Sequence, residues 1–180
     1  MVLAAPRRAT GSAPTLTVDE TTLGTVATAS FGALFGNTPT YGADGPGSVV
    51  STYSLSVPAD GTNSGLVDTA SGQPVLLRTS ASGVEGYIAS GEVVFTVTVD
   101  AATGEVTLTQ ARALHHPDDS NDNEPLSLGG GLISLSRTDT ITDGDGDTAE
   151  AVDDDDAERF AGDVHAFPET GGAQQHAVAR

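Results

Sequence analysis

Apolar and polar residues alternate with a period of two through most of the middle of the chain, the pattern of half-buried strands. It is clearest from Glu92 to Asp100, where Val93, Phe95, Val97 and Val99 oppose Val94, Thr96 and Thr98. From Glu105 to Gln110, Val106 and Leu108 alternate with Glu105, Thr107 and Thr109. The link Asp100-Ala101-Ala102-Thr103-Gly104 suits a type I turn closed by a left-handed glycine, so the two runs predict a hairpin. Ser48 to Val57 alternates too, with Val50, Tyr53, Leu55 and Val57 as candidates for burial. Ser64 to Asp68 and Gln73 to Thr79 read as a second hairpin about Ala70-Ser71-Gly72, and Val84 to Ala89 follows.

The ends of the pattern are less regular. A first strand begins near Thr15, where Leu16 and Val18 alternate with threonines before Asp19-Glu20. Ser30 to Gly36 is compact and apolar, and reads as a turn or single helical turn plugging one end of the core. Asn37 to Gly47 is rich in glycine and proline and predicts a loop. After a polar loop, His115 to Pro125, Leu132, Ile133 and Leu135 mark a strand within Leu126 to Ile141, and a short last strand is predicted at Thr148 to Val152. Short strands separated by turn signals predict an all-β fold, an Ig-like or cadherin-like antiparallel β-sandwich. The expected organisation is a flexible leader over residues 1–13, one sandwich over 14–152, and a disordered acidic and polar tail over 153–180. No segment recurs at a fixed period, so the chain is not itself an array.

Composition narrows the function classes. The formal net charge of −18, from 7 basic and 25 acidic residues, argues against nucleic acid as a partner, since phosphate binding needs clustered Arg or Lys. The acids crowd between Asp139 and Asp163 instead of spreading evenly. With no cysteine there are no disulfides, thiol nucleophiles or Cys-based zinc sites, and rigidity must come from elsewhere. No apolar run reaches transmembrane length and none follows the N-terminal arginines as a signal peptide would, so membrane insertion and Sec export are not expected.

Asp143-Gly144-Asp145-Gly146-Asp147 holds the most specific chemistry. Calcium takes about six to eight hard oxygen ligands. Alternate aspartates can converge on one ion only where the backbone bends sharply, and the intervening glycines permit that bend. An EF-hand would need glycine and glutamate where Thr148 and Asp154 stand, and a β-roll needs many copies of its nonapeptide. What remains is an acidic hairpin loop binding calcium (Ca2+), against the blander alternative of a solvated Asp-Gly turn. In an Ig-like topology the loop before the last strand shares a pole with the start of the first, which would add Asp19 and Glu20 to the site.

Enzymatic readings find little to stand on. His115-His116-Pro117-Asp118-Asp119 sits in a polar loop, where Pro117 sets a turn, and lacks the helical spacing of paired metal-ligand histidines. There is no nucleophile elbow, and Gly129-Gly130-Gly131 lacks the lysine and helix of a phosphate loop. A carbohydrate- or protein-binding sandwich is the alternative to a structural module, but aromatics are only 4% of the chain.

Seven segments in order then resemble a known family. They are Leu16-Thr17-Val18-Asp19-Glu20-Thr21, Ala29-Ser30-Phe31 with Leu34-Phe35, Gly42-Ala43-Asp44-Gly45, Ser64-Gly65-Leu66-Val67-Asp68-Thr69, Val93-Val94-Phe95-Thr96-Val97, His116-Pro117-Asp118, and Thr140-Ile141-Thr142 leading into the acidic loop. Together, over about Pro14 to Val152, they resemble the DUF5801 or T1SS-143 repeat of large bacterial repeats-in-toxin (RTX) proteins. The resemblance implies type I secretion, neighbouring repeat modules in a larger surface protein, a role in adhesion or biofilm contact with a host or biofilm ligand, and no catalysis. The acidic positions matching the family pattern are Asp19, Glu20, Asp44, Asp143, Asp145 and Asp147. Past Val152 the sequence matches nothing in that pattern, so a remnant of a larger adhesin is a further alternative.

Overall fold

The computed structural model describes residues 14–36, 45–117, 125–155 and 164–167, with side chains up to Glu150. The strands are β1 (Leu16–Asp19), β2 (Val26–Ser30), β3 (Pro46–Ser56), β4 (Thr62–Val67), β5 (Pro74–Ser80), β6 (Gly83–Tyr87), β7 (Val93–Val99), β8 (Glu105–Gln110), β9 (Ser134–Asp143), β10 (Thr148–Asp155) and β11 (Val164–Phe167). They form an antiparallel sandwich, as the alternation predicts. One sheet runs β2-β8-β7-β6-β5-β4 and the other β10-β9-β3, while β1 and β11 pair in parallel. β3 packs across β5, β6 and β7, which closes the two layers.

Each sheet buries one face because its strands carry bulky aliphatics at alternate positions. Val75, Leu77, Val84, Val94, Phe95, Val97, Val106 and Leu108 fill the core from the larger sheet, and Tyr53, Leu55 and Leu135 meet them from the smaller. Val94 breaks the predicted phase: it is fully buried although Phe95 beside it is buried too. A bulge between Gly86 and Tyr87 shifts the register so that Gly86 faces Phe95 and Tyr87 faces Val93. Two residues of β7 then point inward in succession. The Val94 carbonyl, freed from the ladder, accepts from the N–H groups of Ala111 and Arg112.

Gly86 is glycine because the Phe95 ring lies against it; an added Cβ would sit 2.4 Å from the ring. Gly86→Ala is therefore expected to lower stability by about 1–3 kcal/mol through overpacking. A urea titration would read this as a lower midpoint at unchanged slope.

The apolar stretch after β2 plugs the core as the sequence suggests. Gly32–Leu34 forms a single 3-10 turn, Phe31 is fully buried, and Phe35 stacks edge-on against Tyr53 at 5.7 Å between centroids. The Asp100–Gly104 turn also forms as predicted. Gly104 has φ +70°, and the Asp100 carboxylate accepts the N–H groups of Ala102 and Thr103.

Three elements differ from the sequence reading. β2 is absent from it, because Val-Ala-Thr-Ala-Ser alternates too weakly in size to stand out and is mostly exposed. β10 runs three residues past the expected end at Val152, since the ladder to β9 continues through Asp155 opposite Leu135. Val164–Phe167, placed by the sequence reading in an unstructured tail, pairs with Leu16–Asp19, and this is the ladder that β1 makes among the described strands. Among the described residues no helix is long and apolar enough to cross a membrane.

Candidate metal centre

The acidic loop closes the β9–β10 hairpin. Asp143 ends β9 and Thr148 opens β10, so the five residues Asp143 to Asp147 must reverse the chain at a sheet end. The Asp143 N–H donates to the Asp147 carbonyl at 3.0 Å, and Gly146 N–H donates to the Asp143 carbonyl at 3.2 Å. Gly146 adopts φ +95°, a conformation that a residue with a Cβ resists. The turn bends the three carboxylates to one side, where one oxygen from each lies within 4.8 Å of the others.

The three groups are not equivalent. Asp145 and Asp147 are exposed, whereas Asp143 is buried, with its residue only 4% accessible. Asp143 Oδ1 accepts the Asp147 N–H at 3.0 Å, but its buried Oδ2 has no hydrogen-bond partner. The Asp143 carboxyl is held above its usual range, first because its protonated form can donate a hydrogen bond to Asp145, then by burial and by the charges of Asp145 and Asp147. Asp145 is correspondingly lowered, first by accepting that hydrogen bond and then by the Asp147 N–H. A buried acid facing two further acids, with an oxygen lacking a donor, is a site where charge density awaits a cation or a proton.

Behind the loop, β3 approaches unusually closely. Pro46 pairs with Asp143 and Ser48 with Thr142, so Gly47 bulges out between them. A Cβ at Gly47 would lie 2.2 Å from the Thr142 carbonyl oxygen and 2.8 Å from that of Asp143. Only glycine lets β3 brace the root of the loop here.

The six acidic positions singled out by the sequence thus separate. Asp143, Asp145 and Asp147 come together, and they are the sole cluster of this kind among the described residues. Asp19 does not join them: its carboxylate caps Thr21, whose hydroxyl and then N–H, the latter at 2.8 Å, hold the Asp19 pKa below the usual value. Glu20 turns to the far end of β8, where Oε1 accepts from the Gln110 side chain and from Leu114 N–H, and Oε2 lies 3.7 Å from His116 Nε2. β3 accounts for the separation. Tyr53 N–H reaches Ala101, at the opposite end of β8 from Gln110, and the strand begins at Pro46 beside Asp143. Asp44 lies outside the described residues.

The sequence reading missed a second acidic centre. Asp68 is fully buried, and it accepts Arg112 Nε at 2.8 Å, Arg112 Nη2 at 2.9 Å, Ser71 N–H at 2.8 Å and Ser71 Oγ at 2.6 Å. Arg112 also reaches Glu92 at 3.0 Å. The Asp68 carboxyl is held far below the usual range, chiefly by the Arg112 guanidinium and against the cost of burial. With its positive charge already supplied, this carboxylate serves structure.

Strands β1 to β9, β10 up to Asp154, the glycine-bent acidic loop and buried Asp68 all fall within the sequence span matched by one family model, residues 15–154, described as a domain of unknown function (DUF5801). The chain belongs to the DUF5801 family. Searches of curated proteins and of solved structures return no significant match. The DUF5801 match ends one residue short of the end of β10, so β11 lies beyond the family's span.

Proposed function

We propose that this DUF5801 chain is a non-catalytic, calcium-stabilised structural module of a secreted or cell-surface bacterial protein of the repeats-in-toxin type, with adhesion or spacing as its task and neighbouring modules as its partners. The observation carrying the reading is the buried Asp143 Oδ2, with no hydrogen-bond donor, inside a cluster of three carboxylates. Asp143, Asp145 and Asp147 would hold the ion. Calcium there supplies positive charge to a loop that otherwise repels itself, and so fixes the β9–β10 connection. Three carboxylates leave part of a calcium shell to water or other oxygens, which points to the weak affinity of extracellular modules, about 10⁻⁴–10⁻³ M.

The test is thermal unfolding in EDTA and then in millimolar calcium. At about 10 mM calcium, roughly ten- to a hundredfold above Kd, binding adds about 1.4–2.7 kcal/mol, or a rise of about 3–10 °C for a domain of this size. Asp145→Asn combined with Asp147→Asn should abolish the rise and, by removing the repulsion on Asp143, leave the EDTA curve no lower than that of the wild type. A melting curve indifferent to calcium would sink the reading. The shift should also fade in acid, because a proton on Asp143 occupies the oxygen that the cation needs. Without calcium the sign reverses: a raised folded pKa makes the ionised Asp143 a burden at neutral pH, relieved as pH falls through that value.

A further inference from the structure

We propose that β3 is a self-association edge: two copies of the chain pair antiparallel through Ser48–Thr52, with Val50 opposite Val50, and join their smaller sheets in the order β10-β9-β3-β3-β9-β10.

β3 lies at the outside of its sheet and β9 occupies its other side. The direction of its backbone groups follows from two contacts. Tyr53 N–H donates to Ala101 O and Val57 N–H to Thr79 Oγ1, both away from β9. Amide direction alternates along an antiparallel strand, so Val49 and Ser51 also point N–H and C=O outward. Among the described residues neither has a backbone partner on that side. The covered part of the edge begins at Tyr53, and the Gly47 bulge bounds the other end. Between them lies an unpaired window of a rigid strand, the template on which another strand pairs.

Charge selects the occupant. From Pro46 to Ser56 the strand has no ionisable group other than Tyr53, on a chain whose net charge is −18. The opposite edge of the same sheet, β10, includes Glu150, Asp153, Asp154 and Asp155, and would repel an acidic partner. An acidic molecule meets its own copy with least repulsion through its longest uncharged edge. Self-pairing about Val50 sets Val49 against Ser51 of the partner copy, and forms roughly four backbone hydrogen bonds. It also brings together the two Val50 side chains, which are 61% exposed in the single chain. Each acidic loop then lies about 13 Å of extended strand from the twofold axis. Loop-to-loop repulsion across about twice that distance is screened at physiological salt.

Sedimentation equilibrium of the full chain should show a concentration-dependent monomer–dimer equilibrium that strengthens with added sodium chloride. Val50→Lys, which sets two ammonium groups face to face, should weaken association about tenfold or more. Val49→Pro removes an outward N–H not used by β9 and should act likewise, with its melting curve checked for an intact fold. Val26→Lys, on the exposed face of β2, should leave the dimer unchanged. A chain monomeric at every concentration overturns the proposal. So does a dimer that Val50→Lys leaves intact or that Val26→Lys abolishes.

Discussion

Asp68→Ala is expected to cost about 3–5 kcal/mol of stability, because it leaves Arg112 without the carboxylate that it grips with two nitrogens. Asp68 is fully buried, while the Arg112 side chain is a quarter exposed and keeps Glu92. Part of the loss is therefore recovered by guanidinium hydration, which places the value toward the lower end of that range. The Ser71 N–H and hydroxyl lose their acceptor as well, loosening the turn between β4 and β5. Asp68→Asn keeps the shape and one acceptor oxygen, and should fall between wild type and the alanine variant. A double-mutant cycle with Arg112→Met separates the pair's coupling from the cost of a stranded charge. If Asp68→Ala shifts the urea midpoint by less than about 1 kcal/mol, the pair behaves like a surface contact and the burial argument fails. The pH dependence has a definite sign. The folded pKa of Asp68 lies well below its ordinary 3.8, so its stabilisation is present above that value and is lost as pH falls through the folded pKa. Asp68→Asn should flatten the acid limb of the stability curve.

The contrast between Asp68 and Asp143 explains how much of this protein was legible in its sequence. Strands were legible where size alternates strongly, as in Val93–Val99 and Glu105–Gln110, because period-two burial is local information. The Asp143–Asp147 cluster was legible for the same reason: its members are neighbours in the chain, and the glycines that bend it lie between them. Asp68 and Arg112 are far apart in sequence, and a single buried aspartate looks like any other turn residue there. Their meeting depends on the isolated bridge between Asp68 and Leu114, a product of the tertiary arrangement. The expected approach of Asp19 and Glu20 to the acidic loop depended on topology in the same way. β2 and β11 were hidden for another reason. One is mostly exposed and built of small residues, and the other is a four-residue strand whose partner, β1, lies at the opposite end of the chain.

Phe31→Ala is expected to destabilise the chain by about 3–5 kcal/mol, yet to leave the calcium-dependent increment intact. Phe31 is fully buried where β2 turns into the 3-10 turn, and its N–H and carbonyl are both engaged, with Gly104 and Leu34. The neighbouring Gly32 shows how tightly this seam is packed: a Cβ there would meet the Thr103 carbonyl oxygen at 2.6 Å and the Tyr53 hydroxyl at 3.2 Å. A cavity beside it cannot collapse without moving backbone, which favours the upper part of that range. From Tyr53 the strand runs about 23 Å back to Pro46, opposite Asp143. Sites so far apart with no shared partner add independently. The difference between melting curves in calcium and in EDTA, converted to free energy, should therefore be the same for Phe31→Ala as for wild type, although both curves shift down. A lost increment would mean that the loop is organised by the whole sandwich. An unchanged one locates the binding energy in the β9–β10 hairpin and in the brace that Gly47 permits.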